Sequence, residues 1–163
     1  MQFMTNILIR EARETDCSLI LDLIKGLAEY ERALSEVKTS EQDLHRALFA
    51  EHPKAFALVC SIDDEPVGFA LYFYNYSTWT GKFGLFLEDL YVSVQHRGSG
   101  AGKALLQHLA KLAVKNDCAR FEWNVLDWNE PSIKFYESFG AKPQSEWVGY
   151  RLAGEELKRF AES

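Results

Sequence analysis

At 163 residues the chain has the length of one domain, and a chain of that size buries roughly two thirds of its unfolded surface in a single core without disulfides or a structural metal. A formal charge of −6, from 24 acidic against 18 basic residues, argues against a broad phosphate-tracking surface and so against nucleic acid as a partner. Three cysteines, Cys17, Cys60 and Cys118, stand far apart without CxxC spacing, which speaks against a zinc site and against a secreted disulfide framework.

The opening stretch MQFMTNILIR has no long apolar run after a basic one, and no window approaches the length needed to span a bilayer. The chain therefore reads as cytoplasmic, with no membrane partner. Ile7 to Arg10 reads as a short strand. Thr15 or Asp16 is placed to cap a helix in which Leu19, Leu23, Leu27 and Tyr30 recur at helical spacing. Ser40 followed three residues later by Asp43 resembles a capping box and opens a second helix running to about Phe49. The runs Ala55 to Ser61 and Val67 to Tyr76, separated by DDEP, read as a hairpin, and STWTG turns the chain into a long apolar run from Phe83 to Val94.

After a glycine-rich segment, Leu105, Leu109 and Leu112 mark one face of a helix while Lys103, Lys111 and Lys115 stay on its solvent side. Arg120 to Leu126 is read as a strand, Pro131 to Ser138 as a short helix, Trp147 to Leu152 as a last strand and Glu155 to Ala161 as a terminal helix. Hairpins in the middle and a crossover around the glycines argue for one α/β domain over residues 1–163, with a mixed, mostly antiparallel central sheet flanked by helices.

The glycine segment, Arg97-Gly98-Ser99-Gly100-Ala101-Gly102-Lys103, lies where a strand passes into a helix. Glycines there let the backbone approach a ligand closely, and the first helical turn offers N–H groups and the positive dipole end to an anion. Arg97 adds a charge-assisted donor. A P-loop does not fit, since Gly98 to Gly102 is too short and Lys103 is followed by Ala104. A dinucleotide fingerprint fits poorly, because its third glycine would fall on Lys103, although Glu122 stands at a suitable distance downstream. The pattern Arg97-x-x-Gly100-x-Gly102 resembles instead the acyl-CoA pyrophosphate loop of the GNAT superfamily of N-acetyltransferases; a plain tight turn capping a helix is the alternative.

Upstream, GLFLEDLYVSV places two acids in an otherwise apolar run. Strict alternation would put Glu88 on one face with Phe86, Leu90 and Val92, and Asp89 on the other with Leu85, Leu87 and Tyr91. A buried, unpaired carboxylate is costly, so either the pair sits at a bulge or edge and is satisfied by neighbours, or desolvation tunes one acid for general base work. Such a base has a use: an alkylammonium of pKa roughly 10 is only about 0.1% neutral at physiological pH, and only the neutral amine attacks a thioester. Downstream, Asn129, Glu130 and Pro131 form a helix start, with Ser132 and Tyr136 four apart on one face. Tyr136 fits equally a core place beside Ile133 and Phe139 or the role of proton donor to a departing thiolate.

Taken in order, DCSLILDLIKGLAEYE, YSTWTGKFGLFLEDLYV, RGSGAGKALL and LDWNEPSIKFYESFGA make the chain similar almost end to end to the spermidine/spermine and thialysine branch of the GNAT N-acetyltransferases. The resemblance implies transfer of acetyl from acetyl-CoA, without a metal, to a primary amine of a small molecule in a ternary complex. By that resemblance Leu90, Tyr91 and Val92 meet the pantetheine and thioester, and Arg97, Gly98, Ser99, Gly100, Ala101, Gly102 and Lys103 hold the pyrophosphate. Asn129, Pro131, Ser132 and Tyr136 also touch the cofactor. Tyr136 is then the acid and Glu88 the base, while Tyr30, Glu31, Glu88 and Asp89 line the amine pocket. A homodimer is implied as well.

One departure concerns the substrate. Polyamine acetyltransferases carry consecutive acids before the segment matching Gly149-Tyr150-Arg151, whereas this chain has Trp147-Val148 there, with Glu146 the nearest acid. A short diamine or a lysine-like amine is therefore expected rather than a long polycation. Two other functions compete. A protein or peptide acetyltransferase needs an open groove, against which the aromatic stretch YFYNYSTW argues. A noncatalytic acyl-CoA-binding sensor would be indifferent to Tyr136 and Glu88.

Overall fold

The hairpin turn Asp63-Asp64 sets the sheet's register: both residues take positive φ, 48° and 68°, the conformation of the two-residue turn whose twist matches that of paired strands. In the computed structural model, which describes residues 5–163, this turn joins β2 (Phe56–Ile62) to β3 (Glu65–Ser77). Aspartate tolerates the left-handed region less readily than glycine does. Asp64→Gly is therefore expected to stabilise the protein by about 1 kcal/mol, seen as a rise of about 2–4 °C in thermal melting. A fall in Tm would show that the Asp64 side chain contributes more than its backbone strain costs.

The described residues fall into two compact units, the first ending at Asn124 and the second spanning Val125–Ser163. In the first, β1 (Ile7–Glu11), β2, β3, β4 (Lys82–Val92) and β5 (Phe121–Trp123) lie in that order in one sheet. β2 and β3, and β3 and β4, joined by short turns, are antiparallel, and so are β1 and β2 across a long helical connection. β5 runs parallel to β4, and the intervening helix α3 (Ala101–Lys115) supplies the long crossover that a parallel neighbour needs. The expected mixed, mostly antiparallel sheet is thus found.

Successive strand residues face opposite sides, and the end of β4 shows what covers each. A Cβ at Gly26, in helix α1 (Cys17–Tyr30), would stand 2.9 Å from the Tyr91 ring, whereas one at Gly102 in α3 would lie 3.9 Å from Val92. Cys17, Ile20 and Leu23 of α1 and Leu44 and Leu48 of α2 (Glu41–Leu48) bury with Ala57, Phe69 and Tyr91 on the first face. Leu105 and Leu109 of α3 are fully buried, with the lysines of that helix turned outward. The capping box at α2 is present: Asp43 N–H donates to Ser40 Oγ at 3.2 Å, and Ser40 N–H donates to Asp43 Oδ2 at 2.9 Å. Among the described residues no helix is long and apolar enough to cross a membrane.

Several expectations are corrected. Asp16 stands at the N-cap of α1, but its side chain makes no cap bond; its carboxylate accepts both Arg10 guanidinium nitrogens, at 2.7 and 3.0 Å, and the Arg13 N–H. The Arg10 hydrogen bond holds this carboxyl below the ordinary aspartate range. The strand expected over Arg120 to Leu126 is only three residues long, since its ladder with β4 ends at Leu87 and Trp123, where a bulge in β4 follows. Bulges bend their strand and interrupt pairing.

In the second unit, α4 (Glu130–Ser138) and α5 (Gly154–Ala161) form as expected, but Trp147 to Leu152 is not a strand. The described residues of that unit include no other strand to pair with it, and alternating hydrophobicity without a partner ladder leaves backbone groups to water. Tyr150 is 97% exposed accordingly.

Candidate active site

The acids of β4 are separated by a bulge. Leu71 of β3 pairs with Asp89 and its neighbour Tyr72 pairs with Leu87, so Glu88 has no cross-strand partner. Strict alternation is therefore overturned. Paired residues share a face, so Leu85 and Leu87 stand with Leu90 and Val92 on the α3 side, while Phe86, Asp89 and Tyr91 stand on the α1 side. Glu88 is exposed at the break and Asp89 is half-buried. Burial first, then the charges of Glu88 and Glu31, push the Asp89 carboxyl up to about 6. Glu31, the residue after α1, is itself raised by desolvation. Glu31, at the end of α1, and Glu88, at the bulge, thus both bear on Asp89.

Beyond Leu87, β4 keeps its ladder to β3 but has none to β5, so the edge carrying Glu88 to Val92 is open to a ligand's polar groups. The glycine loop lies beside that edge: a Cβ at Gly102 would touch Leu90 and Val92, each at 3.9 Å. Gly98 and Gly100 have φ of 77° and 91°, values a side chain would strain. A Cβ at Gly98 would meet nothing within 4 Å, and one at Gly100 only Ile7 Cδ1 at 3.8 Å. No side chain caps the helix from Gly100, the N-cap of α3, although Ala101 N–H donates to Ser99 Oγ at 3.3 Å. An open cradle, first-turn amides and the positive end of a 15-residue helix fit the pyrophosphate of acetyl-CoA. Gly102 and Lys103 lie in the first turn of that helix.

Two features escaped the sequence reading. Ser93 Oγ and His96 Nδ1 lie 2.8 Å apart across the turn that enters the loop, and His96 Nε2 lies 3.8 Å from Glu65. The serine-to-histidine spacing of three is a signal for that turn. Arg97 does not point away from the fold as a bare phosphate donor; its guanidinium lies over Tyr30, the last residue of α1.

Asn129, Pro131, Ser132 and Tyr136 gather at α4 in the second unit. Asn129 is the N-cap, accepting from Ser132 N–H at 3.4 Å, and Pro131 lies in the first turn, where its missing N–H costs nothing. Ser132 and Tyr136 are both half-buried. The Tyr136 ring packs at 5.9 Å from Phe135 and 6.3 Å from Phe139.

A glycine loop at a helix N-terminus, an opened strand edge and adjacent carboxylates fit an acyl-CoA-dependent transferase, and comparison with known proteins gives that class. Residues 8–141 match the model of the acetyltransferase (GNAT) family, and the chain belongs to it. It is an acetyl-CoA-dependent N-acetyltransferase. Among its relatives, thialysine N-epsilon-acetyltransferase of Sus scrofa is 39% identical over 169 residues, covering 97% of this chain and 99% of that protein. The spermidine/spermine N(1)-acetyltransferase-like protein 1 of Homo sapiens is 37% identical over 163 residues, covering 94% of this chain but 23% of that protein. An integron cassette protein from the mobile metagenome of V. cholerae superposes with a TM-score of 0.80 at 30% identity, covering 96% and 98% of the two chains.

Proposed function

We propose that the chain acetylates the primary amine of a small, lysine-like molecule such as thialysine, or of a short diamine, by direct attack in a ternary complex. The observation that carries this reading is the acidic group Glu31, Glu88 and Asp89 beside the open edge of β4, next to the glycine loop. It provides a seat for an ammonium within reach of the strand where a thioester would lie. Similarity over 97% of the chain to a thialysine acetyltransferase supports the same substrate class, as does the absence of consecutive acids at Trp147-Val148. The family match runs across the boundary between the two units, which supports reading residues 1–163 as one catalytic domain.

Acetyl-CoA, when bound, supplies the acetyl thioester. The amides of Gly98 to Lys103 and the Arg97 guanidinium hold its pyrophosphate. Leu90, Tyr91 and Val92 offer backbone groups along the open edge, and Asn129, Pro131 and Ser132 complete the cofactor contacts. Tyr30, Glu31 and Asp89 hold the ammonium. Glu88 takes its proton, through water, since it stands exposed at the bulge. Tyr136 returns a proton to the departing sulfur. Free Cys17, Cys60 and Cys118 support a reducing, cytoplasmic setting. Exposed Trp147, Val148, Tyr150 and Phe160 support a homodimer.

The test is release of CoA thiol from acetyl-CoA across thialysine, lysine, short diamines, spermine and a lysine-containing peptide. Thialysine or a short diamine is expected to give the highest kcat/KM. A peptide turned over better than every free amine would replace this reading with protein acetylation.

A further inference from the structure

The turn that leads from β4 into the glycine loop is tied to the sheet through one histidine. Past Val92 the strand keeps one more bond to β3, from Ser93 N–H to Val67 O at 2.8 Å, so the Ser93 backbone belongs to the sheet. Its hydroxyl reaches forward and lies 2.8 Å from His96 Nδ1. On the far side of the ring, Nε2 lies 3.8 Å from Oε2 of Glu65, the first residue of β3. A proton on Nε2 faces that carboxylate and leaves Nδ1 to accept from the Ser93 hydroxyl.

The backbone carries the same connection on toward the loop. His96 N–H donates to Ser93 O at 2.9 Å, and His96 O accepts from Ser99 N–H at 3.4 Å. Ser99 Oγ in turn accepts from the N–H of Ala101, the first residue of α3. Ser99 stands between Gly98 and Gly100, both at positive φ. Glycine loses more conformational freedom on ordering than any other residue, so a cradle resting on two of them binds tightly only where something else holds its shape. The His96 ring is half-buried and Glu65 is exposed, so the contact with Ser93 is the one that matters for the loop.

We propose that His96 is a positioning residue of the donor site: through its bond to Ser93 it fixes the glycine loop against the sheet before acetyl-CoA arrives. The inference rests on the donor assignment made above. His96 acts through the loop and takes no part in acetyl transfer itself. Losing the bond therefore adds the cost of ordering the loop to donor binding and leaves the chemistry of the bound complex as it was.

Titration calorimetry with CoA, and steady-state acetylation of a small primary amine, read the two halves of that statement. His96→Phe keeps a ring and loses the bond. It is expected to weaken CoA binding and to raise the KM for acetyl-CoA about 3- to 10-fold, the effect of losing one partly buried hydrogen bond. The kcat at saturating acetyl-CoA and the KM for the amine should stay within about twofold of wild type. His96→Asn sets an amide where Nδ1 stood and should bring CoA affinity back to within about twofold of wild type. Ser93→Ala removes the other partner with little change of shape. The double variant Ser93→Ala/His96→Phe should lose no more affinity than either single one, because both remove the same bond. CoA affinity unchanged in Ser93→Ala and His96→Phe would overturn the inference, as would losses that add in the double variant or that His96→Asn fails to recover. A fall in kcat at saturating donor as large as the rise in KM would overturn it too, since His96 would then act in the chemistry. If wild-type protein binds CoA while these results fail, the inference alone falls. If it binds no CoA, the donor assignment falls with it.

Discussion

Tyr136→Phe is expected to lower kcat by about 10²- to 10⁴-fold, the range spanned by removal of a positioned general acid. The substitution takes away one oxygen and keeps the ring. Packing of the ring against Phe135 and Phe139, and the Asn129 cap of α4, are kept, so α4 should remain folded. The loss should fall on kcat rather than on KM for the amine, because the hydroxyl acts on the departing sulfur and not on the bound ammonium. Single-turnover acetylation with excess enzyme isolates the step. A rate constant within about threefold of wild type would remove Tyr136 from the chemistry and return it to the core role that its place beside Ile133 and Phe139 also allowed.

What the sequence carried well were features written in local spacing. The capping box at Ser40 and Asp43, the hairpin across Asp63-Asp64 and the buried leucines of α3 each depend on residues a few positions apart, and each forms as read. The glycine loop was legible for the same reason, since positive φ at Gly98 and Gly100 is a property of those residues themselves. What it carried poorly depended on a partner. Asp16 looks like a cap, yet Arg10 on the adjacent strand takes its carboxylate. Trp147 to Leu152 alternates like a strand but forms none among the described residues.

The acids of β4 lie between these cases. Two carboxylates in an apolar run announced a disturbance, and a bulge was one of the readings open to them. Which residue it would release could not be read, because a bulge is a mismatch between two strands and only the pairing of Leu71 with Asp89 and Tyr72 with Leu87 places it at Glu88.

That placement gives Glu88 and Asp89 separable signatures. Glu88→Gln is expected to reduce kcat/KM for a small primary amine about 10²-fold at neutral pH, with the deficit shrinking as the pH approaches about 10 and the amine sheds its own proton. A deficit that stays constant across that range would remove Glu88 as base. Asp89 acts at lower pH. Its carboxyl, at about 6 in the fold against 3.8 as an ordinary aspartate, is protonated more readily in the folded state than in the unfolded one. Its linked stability is therefore fully present below about pH 4 and is lost as pH rises through about 6. Asp89→Asn should abolish that decline and raise stability at pH 7 by on the order of 2 kcal/mol. The same substitution should raise KM for the amine, and the wild-type fall in amine affinity below about pH 6 should vanish with it. Stability and substrate binding then move in opposite directions at one residue, as expected where a charge is kept half-buried because the substrate, and not the fold, requires it. Loss of stability in Asp89→Asn would mean that the carboxylate is satisfied within the fold, and its place in the amine pocket would have to be given up.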